Sequence, residues 1–161
     1  MLQIGQKTPS FKLLDTNKAE VSSDSFKGKN TVLFFFPMAG SGACTKEMCA
    51  IAEDFKSYSK LDANVVGISV DSWWTLKKFA EENKIEFPLL SDYNRDTIKA
   101  FDIVLPEFAF GYKNLAKRAT FVLDREGIIR FIEVVPQFGD QPNLEAIKNA
   151  LNAISKSPIT Q

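Results

Sequence analysis

The chemistry open to this chain of 161 residues is limited by its two cysteines and its lack of histidine. Cys44 begins a segment of helical pattern, after a strand-like run from Thr31 to Phe36 and a loop of small residues that opens with Pro37. Unpaired N–H groups and the positive end of a helix dipole favour an anion at such a position, and therefore a thiolate over a thiol. Because the thiolate is the reactive form of cysteine, Cys44 is the first candidate for a nucleophile.

Without histidine, Ser–His and Cys–His nucleophile pairs are excluded, and so is every histidine-ligated metal site. Two cysteines alone are too few for a four-ligand zinc site, so we expect no bound metal. A nucleophilic Cys44 must then be activated by the helix terminus and by a cation other than histidine. Arg118, which begins a strand after a long loop, suits this role because arginine keeps its proton. The alternative is that Arg118 forms an ion pair at the surface.

The second cysteine, Cys49, follows Cys44 by five positions. In a continuous helix the two would lie about 140° apart around the axis and about 7.5 Å apart along it, with their Cα atoms roughly 8.7 Å apart. A disulfide needs Cα atoms within about 7 Å, so the pair can bond only if a turn or two of the helix unwinds. The alternatives are a permanent staple, which would remove only about 2 kcal/mol of unfolded-state entropy, or two unrelated buried thiols.

A hydroxyl group also precedes the first thiol, because Ser41 stands three residues before Cys44. At this spacing the hydroxyl could face the thiol. A serine among glycines is also a common turn residue that serves only the loop itself. The spacing alone leaves both interpretations open.

The elements that must position these residues begin with a strand–helix–strand unit. Thr31 to Phe36 and Asn64 to Val70 are apolar without alternation, which indicates strands covered on both faces. Between them, from Thr45 to about Lys60, apolar residues recur at three-to-four spacing and predict an amphipathic helix. Such a βαβ unit makes its two strands parallel.

The rest of the chain predicts a mixed sheet. The expected elements are a helix from Trp73 to Asn83 capped by Asp71 and Ser72, a short strand at Glu86–Leu90 in which Pro88 indicates an edge or a bend, a helix at Asp92–Phe101, irregular structure at Asp102–Lys117, a hairpin of Arg118–Asp124 with Ile128–Val135, and a helix at Asn143–Ile154. We expect Trp73 and Trp74 to pack under the sheet edge, with an exposed aromatic patch as the alternative. The last residues, Ser157–Gln161, are expected to be loose. The outline is an α/β thioredoxin-like fold, a mixed central sheet with helices on both faces, forming a single domain over residues 1–161.

Composition excludes several classes of function. Lys plus Arg and Asp plus Glu both count 20, and no basic block would follow a phosphate backbone, so we expect no nucleic-acid binding. No apolar run reaches the length of a membrane span, so we expect no membrane partner. The first residues lack the pattern of a secretion signal, which favours a cytoplasmic protein.

Taken together, the candidate residues form a known pattern. Pro37, Ser41 and Cys44 match the Pro-x-x-x-Thr/Ser-x-x-Cys motif of the peroxiredoxins, and Arg118 matches the arginine that begins a later strand in that family. The segments GISVDS and FPLLSD are also typical of the family. The chain therefore resembles a peroxiredoxin over nearly its whole length. The position of Cys49, in CTKEMC, resembles the bacterioferritin comigratory protein or peroxiredoxin Q branch, whose resolving cysteine lies in the same helix.

This resemblance implies a thiol-dependent peroxidase, an atypical two-cysteine peroxiredoxin. Cys44 would attack hydrogen peroxide or an alkyl hydroperoxide and become a sulfenic acid. Cys49 would then condense with it to give an intramolecular disulfide. A thioredoxin-like protein or a protein disulfide oxidoreductase would reduce that bond, and no cofactor is needed. Members of this branch are often monomers, so a monomer is expected rather than a dimer.

The resemblance also assigns the groups around the peroxide. The Ser41 hydroxyl, Arg118 and the N–H groups of Ala43 and Cys44 would hold the peroxide oxygens and stabilise developing charge. Pro37 would shield the thiolate and shape the loop.

By the same resemblance Glu47 would brace Arg118 or the loop, although a carboxylate on the helix surface is the plainer interpretation of that residue. Two other functions stay open at this point. A thiol–disulfide oxidoreductase on the same fold would not react rapidly with peroxide. A thioredoxin-like binding module would tolerate Cys44→Ser and Cys49→Ser with little change beyond stability.

Overall fold

The computed structural model describes residues 2–137 and 139–156, so the predicted loose end at Ser157–Gln161 lies outside the described residues. The strands are β1 (Lys12–Asp15), β2 (Glu20–Ser22), β3 (Asn30–Phe35), β4 (Ala63–Ser69), β5 (Leu89–Ser91), β6 (Val104–Glu107), β7 (Lys113–Ala116), β8 (Ala119–Leu123) and β9 (Ile129–Val134). The helices are α1 (Gly42–Lys60), α2 (Trp73–Asn83), α3 (Asp96–Ala100) and α4 (Leu144–Lys156).

Seven of these strands form one mixed sheet in the order β2-β1-β5-β4-β3-β8-β9. The three central strands, β5, β4 and β3, are parallel to one another, and the outer strands pair antiparallel. The predicted βαβ unit is present as β3-α1-β4. Strands β6 and β7 form a separate two-stranded hairpin.

The sheet is covered on both faces, which explains why the central strands are apolar without alternation. Successive side chains of β3 point to opposite faces, so Val32 and Phe34 pack with α1, α2 and α4 on one side. Leu33 and Phe35 pack on the other side against α3 and the segments flanking it. The predicted mixed sheet with helices on both faces is therefore confirmed.

Two predictions for the strands were wrong. Pro88 does not mark an edge strand, because β5 begins after it and lies between β1 and β4. The proline accommodates this position by lying outside the strand, where its carbonyl accepts the Gly67 N–H at 3.0 Å. The region 102–117 is not irregular throughout, since it contains the β6–β7 hairpin. Its turn includes Phe110 at a φ of 64°, a conformation that sequence rules do not favour for phenylalanine.

The predictions for two helix starts also need correction. Trp74 does not pack under the sheet edge: it is 69% exposed and stacks on Trp73 at 4.5 Å between ring centroids. Helix α3 begins at Asp96, four residues later than predicted. Asp92 lies outside the helix, and its carboxylate accepts the N–H groups of Thr97 and Ile98 in the first turn at 3.0 and 2.8 Å.

The strand order brings the candidate residues to one edge of the sheet. Helix α1 begins after the carboxyl end of β3. Strand β8 runs antiparallel to β3, with Ala119 opposite Phe35. The residue before β8, Arg118, therefore lies beside the chain that leaves β3, although the two are far apart in sequence.

Candidate active site

Two residues with restricted or unusual backbone geometry, Pro37 and Gly40, shape the loop between β3 and α1. Pro37 is buried and has no N–H to continue the ladder, so the strand stops there. Gly40 has a φ of 95°, which a residue with a Cβ rarely adopts. Between them the Ala39 N–H donates to the Asp71 carboxylate at 2.8 Å, and Ser69 donates its hydroxyl to the same oxygen at 2.7 Å. The end of β4 thus anchors the loop that follows β3.

Ser41 is the N-cap of α1. Its hydroxyl oxygen accepts the Cys44 N–H at 3.3 Å, and its carbonyl accepts the Thr45 N–H at 2.9 Å and the Thr45 hydroxyl at 2.8 Å. The helix therefore begins at Gly42, two residues before the predicted start at Cys44. Cys44 lies in the first turn, where the dipole and the free N–H groups favour an anion.

The centre of the site is a buried cluster of Cys44, Glu47 and Arg118. Cys44 and Glu47 are three residues apart in α1 and so lie on the same face of the helix. Arg118 donates one terminal nitrogen, Nη2, to Cys44 Sγ at 3.2 Å and the other, Nη1, to Glu47 Oε1. Arg118 is 3% exposed and Glu47 is 1% exposed, which excludes the surface interpretations of both residues.

Burial dominates the electrostatics of this cluster. Burial raises the pKa of Glu47, and the nearby guanidinium of Arg118 lowers it. The effect of burial is the larger, and the resulting pKa is about 7. Burial alone would lower the pKa of Arg118, but the negative charges of Glu47 and Cys44 outweigh it, and the net pKa lies above the ordinary arginine value. Arg118 therefore keeps its charge, and near neutral pH it shares that charge between a carboxyl group and the Cys44 sulfur.

A surface pocket of about 250 Å³ lies beside Arg118, the one member of the cluster that lines it. Its lining consists of two charged and six other side chains: Lys117, Arg118, Pro37, Leu105, Val134, Val135, Pro136 and Gln137. Cys44 is fully buried, and Arg118 connects it to the pocket because this residue both lines the pocket and contacts Sγ. The mostly apolar wall with one buried cation suits a small molecule that has a polar end.

Cys49 has a different environment in the body of the same helix. It is half-buried, and its Sγ lies 3.6 Å from Oδ1 of Asn83, the last residue of α2. Neither cysteine forms a disulfide, and α1 is continuous from Gly42 to Lys60. The structure thus represents the reduced form with an intact helix.

A family model described as the AhpC/TSA family matches residues 4–132. The chain belongs to this family. It is 38% identical over 128 residues to chloroplastic peroxiredoxin Q of Triticum aestivum, a match that covers 80% of this chain and 57% of that protein. It is 35% identical over 127 residues to peroxiredoxin Bcp of Bacillus subtilis, covering 78% of this chain and 81% of that one. The predicted place in the peroxiredoxin Q and bacterioferritin comigratory protein branch is therefore confirmed.

Comparison with a solved structure confirms the thioredoxin-like fold. Peroxidoxin BcpB from Mycobacterium tuberculosis superposes with a TM-score of 0.85 at 28% identity, covering 96% of this chain and 99% of that one. The chain spans little more than half the length of the wheat relative, 57%, but nearly all of BcpB.

Three residues that contact the loop before α1, the first turn of α1 or Cys49 were missed by the sequence analysis. Of the two residues expected to cap α2, Ser72 is the cap, whereas the Asp71 carboxylate accepts the N–H of Ala39 in the loop before α1. Asn83 contacts Cys49, and Gln141 donates its side-chain N–H to the Ala43 carbonyl at 3.2 Å. Asp71 could have been found, because it follows a strand that is parallel to β3 and ends at the same edge. For Asn83 and Gln141 the sequence carried no such signal.

Two negative findings apply to residues 2–137 and 139–156. No three side chains among Cys, Asp and Glu cluster as a metal site would require. None of the helices combines the length and the apolar character needed to cross a bilayer.

Proposed function

We propose that this protein is a thiol-dependent peroxidase that reduces hydrogen peroxide and alkyl hydroperoxides through Cys44. The observation that carries this proposal is the Arg118 guanidinium at 3.2 Å from Cys44 Sγ, at the first turn of a helix. A fixed cation and a helix N-terminus both favour the thiolate, which is the form that attacks a peroxide. The relatives of this protein in wheat and Bacillus subtilis are named peroxiredoxins.

In the first step the Cys44 thiolate attacks the terminal peroxide oxygen. An S–O bond forms, the O–O bond breaks, and the leaving oxygen takes a proton and departs as water or an alcohol. Cys44 becomes a sulfenic acid. Arg118 would stabilise the negative charge that moves from sulfur to the leaving oxygen, because it contacts Sγ and also lines the neighbouring pocket.

The remaining predicted residues have supporting roles in this proposal. The Cys44 N–H, which Ser41 Oγ accepts in the reduced form, and the N–H of Ala43 would bind a peroxide oxygen together with the Ser41 hydroxyl. Pro37 would close one side of the pocket and keep water from the thiolate. Glu47 would hold the guanidinium in place through its contact with Nη1.

The second step is formation of a Cys44–Cys49 disulfide. Helix α1 is intact around both residues, so the disulfide requires its first turns to unwind. A thioredoxin-type dithiol protein would then reduce the bond and allow the helix to re-form. We further propose a cytoplasmic monomer of one domain, although the wheat relative is named chloroplastic. Light scattering after size exclusion would test the monomer.

The burial of Cys44 favours this function over disulfide exchange with other proteins. A thiol–disulfide oxidoreductase must present its attacking sulfur to a disulfide in a bulky partner, whereas Cys44 is 0% exposed. A peroxide is small enough to enter the pocket over Arg118.

Stopped-flow fluorescence of the reduced protein mixed with hydrogen peroxide tests the proposal. The two adjacent tryptophans at the start of α2 provide the signal. We expect a fast phase that depends on peroxide concentration and is lost in Cys44→Ser. In Cys49→Ser that phase should remain and the slower disulfide phase should vanish. A wild-type protein that reacts no faster than a free cysteine would contradict the proposal.

A further inference from the structure

The side chain of Asn83 lies between the end of its own helix and the sulfur of Cys49. Its Nδ2 donates to the Phe79 carbonyl at 2.9 Å, and its Oδ1 lies 3.6 Å from Cys49 Sγ, within hydrogen-bond range for the large sulfur atom. A carbonyl only accepts, so the amide nitrogen must face Phe79 and the amide oxygen must face the sulfur. That oxygen also only accepts, which means that the sulfur supplies the proton. The contact is therefore specific for a thiol.

We propose that Asn83 is a positioning residue that keeps the resolving Cys49 docked on α2 as an unreactive thiol until α1 unwinds. This proposal rests on the proposed function, because it assigns a residue to the disulfide-forming step. Nothing in the first step requires Asn83, since its contacts are with Cys49 and Phe79 and not with Cys44, Arg118 or the pocket.

The chemistry of disulfide formation shows why this contact matters. Cys49 must lose its proton, and its sulfur must then attack the sulfur of the Cys44 sulfenic acid. An S–S bond forms, the S–O bond breaks, and the hydroxide takes up the proton and leaves as water, so no further oxidant is required. In the docked state an oxygen acceptor stabilises the S–H form, and the intact helix holds the two residues too far apart. Breaking the Asn83 contact is consequently part of the barrier to the second step.

A docked Cys49 also lengthens the life of the sulfenic acid on Cys44. During that time a second peroxide molecule can oxidise Cys44 to the sulfinic acid, which a thiol does not reduce. The strength of the Asn83 contact therefore sets the fraction of Cys44 sulfenic acid that forms the disulfide and the fraction that is oxidised irreversibly. Loosening the contact should protect the protein at high peroxide concentration.

Two variants of opposite effect test this proposal, with Glu82→Ala, an exposed neighbour in the same turn of α2, as the matched control. Asn83→Ala removes the acceptor and should speed the slow phase about two- to tenfold, which corresponds to the loss of one weak hydrogen bond. Asn83→Asp keeps an acceptor and adds negative charge, so it should slow that phase. Both variants lose the donor to Phe79, so a mere weakening of α2 would move them in the same direction.

Stopped-flow fluorescence with hydrogen peroxide gives both phases, and intact mass gives the fraction of Cys44 that gains two oxygens. We expect an unchanged fast phase in all three variants, and less sulfinic acid in Asn83→Ala than in the control. Equal acceleration by Asn83→Ala and Asn83→Asp, or no change in either, would overturn the proposal. Loss of the fast phase itself in wild type would instead contradict the proposed function.

A measurement that needs no peroxidase activity provides an independent test. In the Cys44→Ser background Cys49 is the only thiol, and its rate of alkylation by iodoacetamide reports how often it leaves the docked state as a thiolate. Adding Asn83→Ala should raise this rate about two- to tenfold, and adding Glu82→Ala should not. Identical rates with and without Asn83→Ala would refute the docking role even if the protein proved not to be a peroxidase.

Discussion

Cys44 and Cys49 lie five residues apart in α1, yet the groups that contact their sulfur atoms differ in kind. At the Cys44 end the sulfur is fully buried, in the first helical turn, and accepts from a guanidinium. At the Cys49 end the sulfur is half-buried, in the middle of the helix, and faces the amide oxygen of Asn83. A donor with positive charge favours a thiolate, whereas an acceptor favours a thiol.

Under the mechanism proposed above, the two cysteines take different roles because their partners lie on different elements. Arg118 precedes β8 and Asn83 ends α2, so two separate parts of the chain contact the two sulfur atoms of one helix. In that mechanism the buried Cys44 would meet only small reactants, while Cys49 would need only to meet Cys44. Substitutions near one of the two sulfur atoms can therefore be tested for their effect on the reactivity of the other.

The largest effect is expected from Arg118→Met. Removing the guanidinium leaves Glu47 buried without its partner and removes the donor to Cys44 Sγ. The free energy of unfolding should fall by about 3–5 kcal/mol at pH 8, as for other broken buried pairs. The fast peroxide phase should slow by about 10- to 100-fold, the loss of a charge-assisted hydrogen bond.

Urea unfolding and stopped-flow fluorescence measure the two effects of Arg118→Met. Arg118→Lys is the control, because it keeps the positive charge but not the fork that reaches Sγ and Glu47 together. Alkylation of Cys49 should change far less than the fast phase. A similar change at both thiols would show that the two ends are not independent.

The next largest effect is a pH dependence that Glu47→Gln should remove. Burial raises the pKa of Glu47 from its ordinary 4.5 to about 7, so between these values the folded state holds a proton that the unfolded state has released. The stabilisation is complete below pH 4.5 and is lost as the pH rises through 7, by up to about 3 kcal/mol. Asn83, the partner at the Cys49 end, does not titrate.

Urea unfolding of wild type and Glu47→Gln between pH 4.5 and pH 7 measures this effect. The difference in unfolding free energy between the two proteins should shift in favour of the variant as the pH rises. If the difference in unfolding free energy stays constant over this range, burial does not raise the pKa of Glu47.

A smaller effect is expected from Ser41→Ala, which removes the N-cap of α1. The Cys44 N–H loses its acceptor, and the free energy of unfolding should fall by about 1 kcal/mol. Ser41→Thr keeps the hydroxyl and should stay close to wild type. Thermal unfolding checks the stability, and stopped-flow fluorescence should show a slower fast phase in the alanine variant alone. Equal behaviour of the two variants would mean that the cap does not position Cys44.

The smallest effect should come from Gln141→Ala. Its side chain donates to the Ala43 carbonyl and so holds the first turn of α1 from a distant loop. Losing one such hydrogen bond should make the unwinding easier and speed the disulfide phase about twofold. Stopped-flow fluorescence of this variant, alone and combined with Asn83→Ala, would show whether the contacts at the two ends resist unwinding independently. Strictly additive effects on the logarithm of the rate would support two separate contacts, and saturation would contradict them.

Much of the fold followed from the chain itself. Strands β3 and β4 and helices α1 and α2 were predicted within a few residues, because long periodic or continuous apolar segments reflect burial directly. Strand β2 and the β6–β7 hairpin were missed, since three- and four-residue strands carry little periodic signal. Trp74 was misjudged because an aromatic side chain at a helix start has the same local pattern whether it is exposed or buried.

The sequence by itself determined the family, the pair of cysteines and the absence of a histidine base. Motif spacing and residue counts can be read from the order of the amino acids without knowledge of the fold. Only the tertiary structure decided which groups touch each sulfur. The antiparallel pairing of β8 with β3 delivers Arg118 to Cys44, and the packing of α2 beside α1 delivers Asn83 to Cys49. Such contacts join residues that are tens of positions apart, and the free energy that selects them comes from burying the whole sheet rather than from any local pattern.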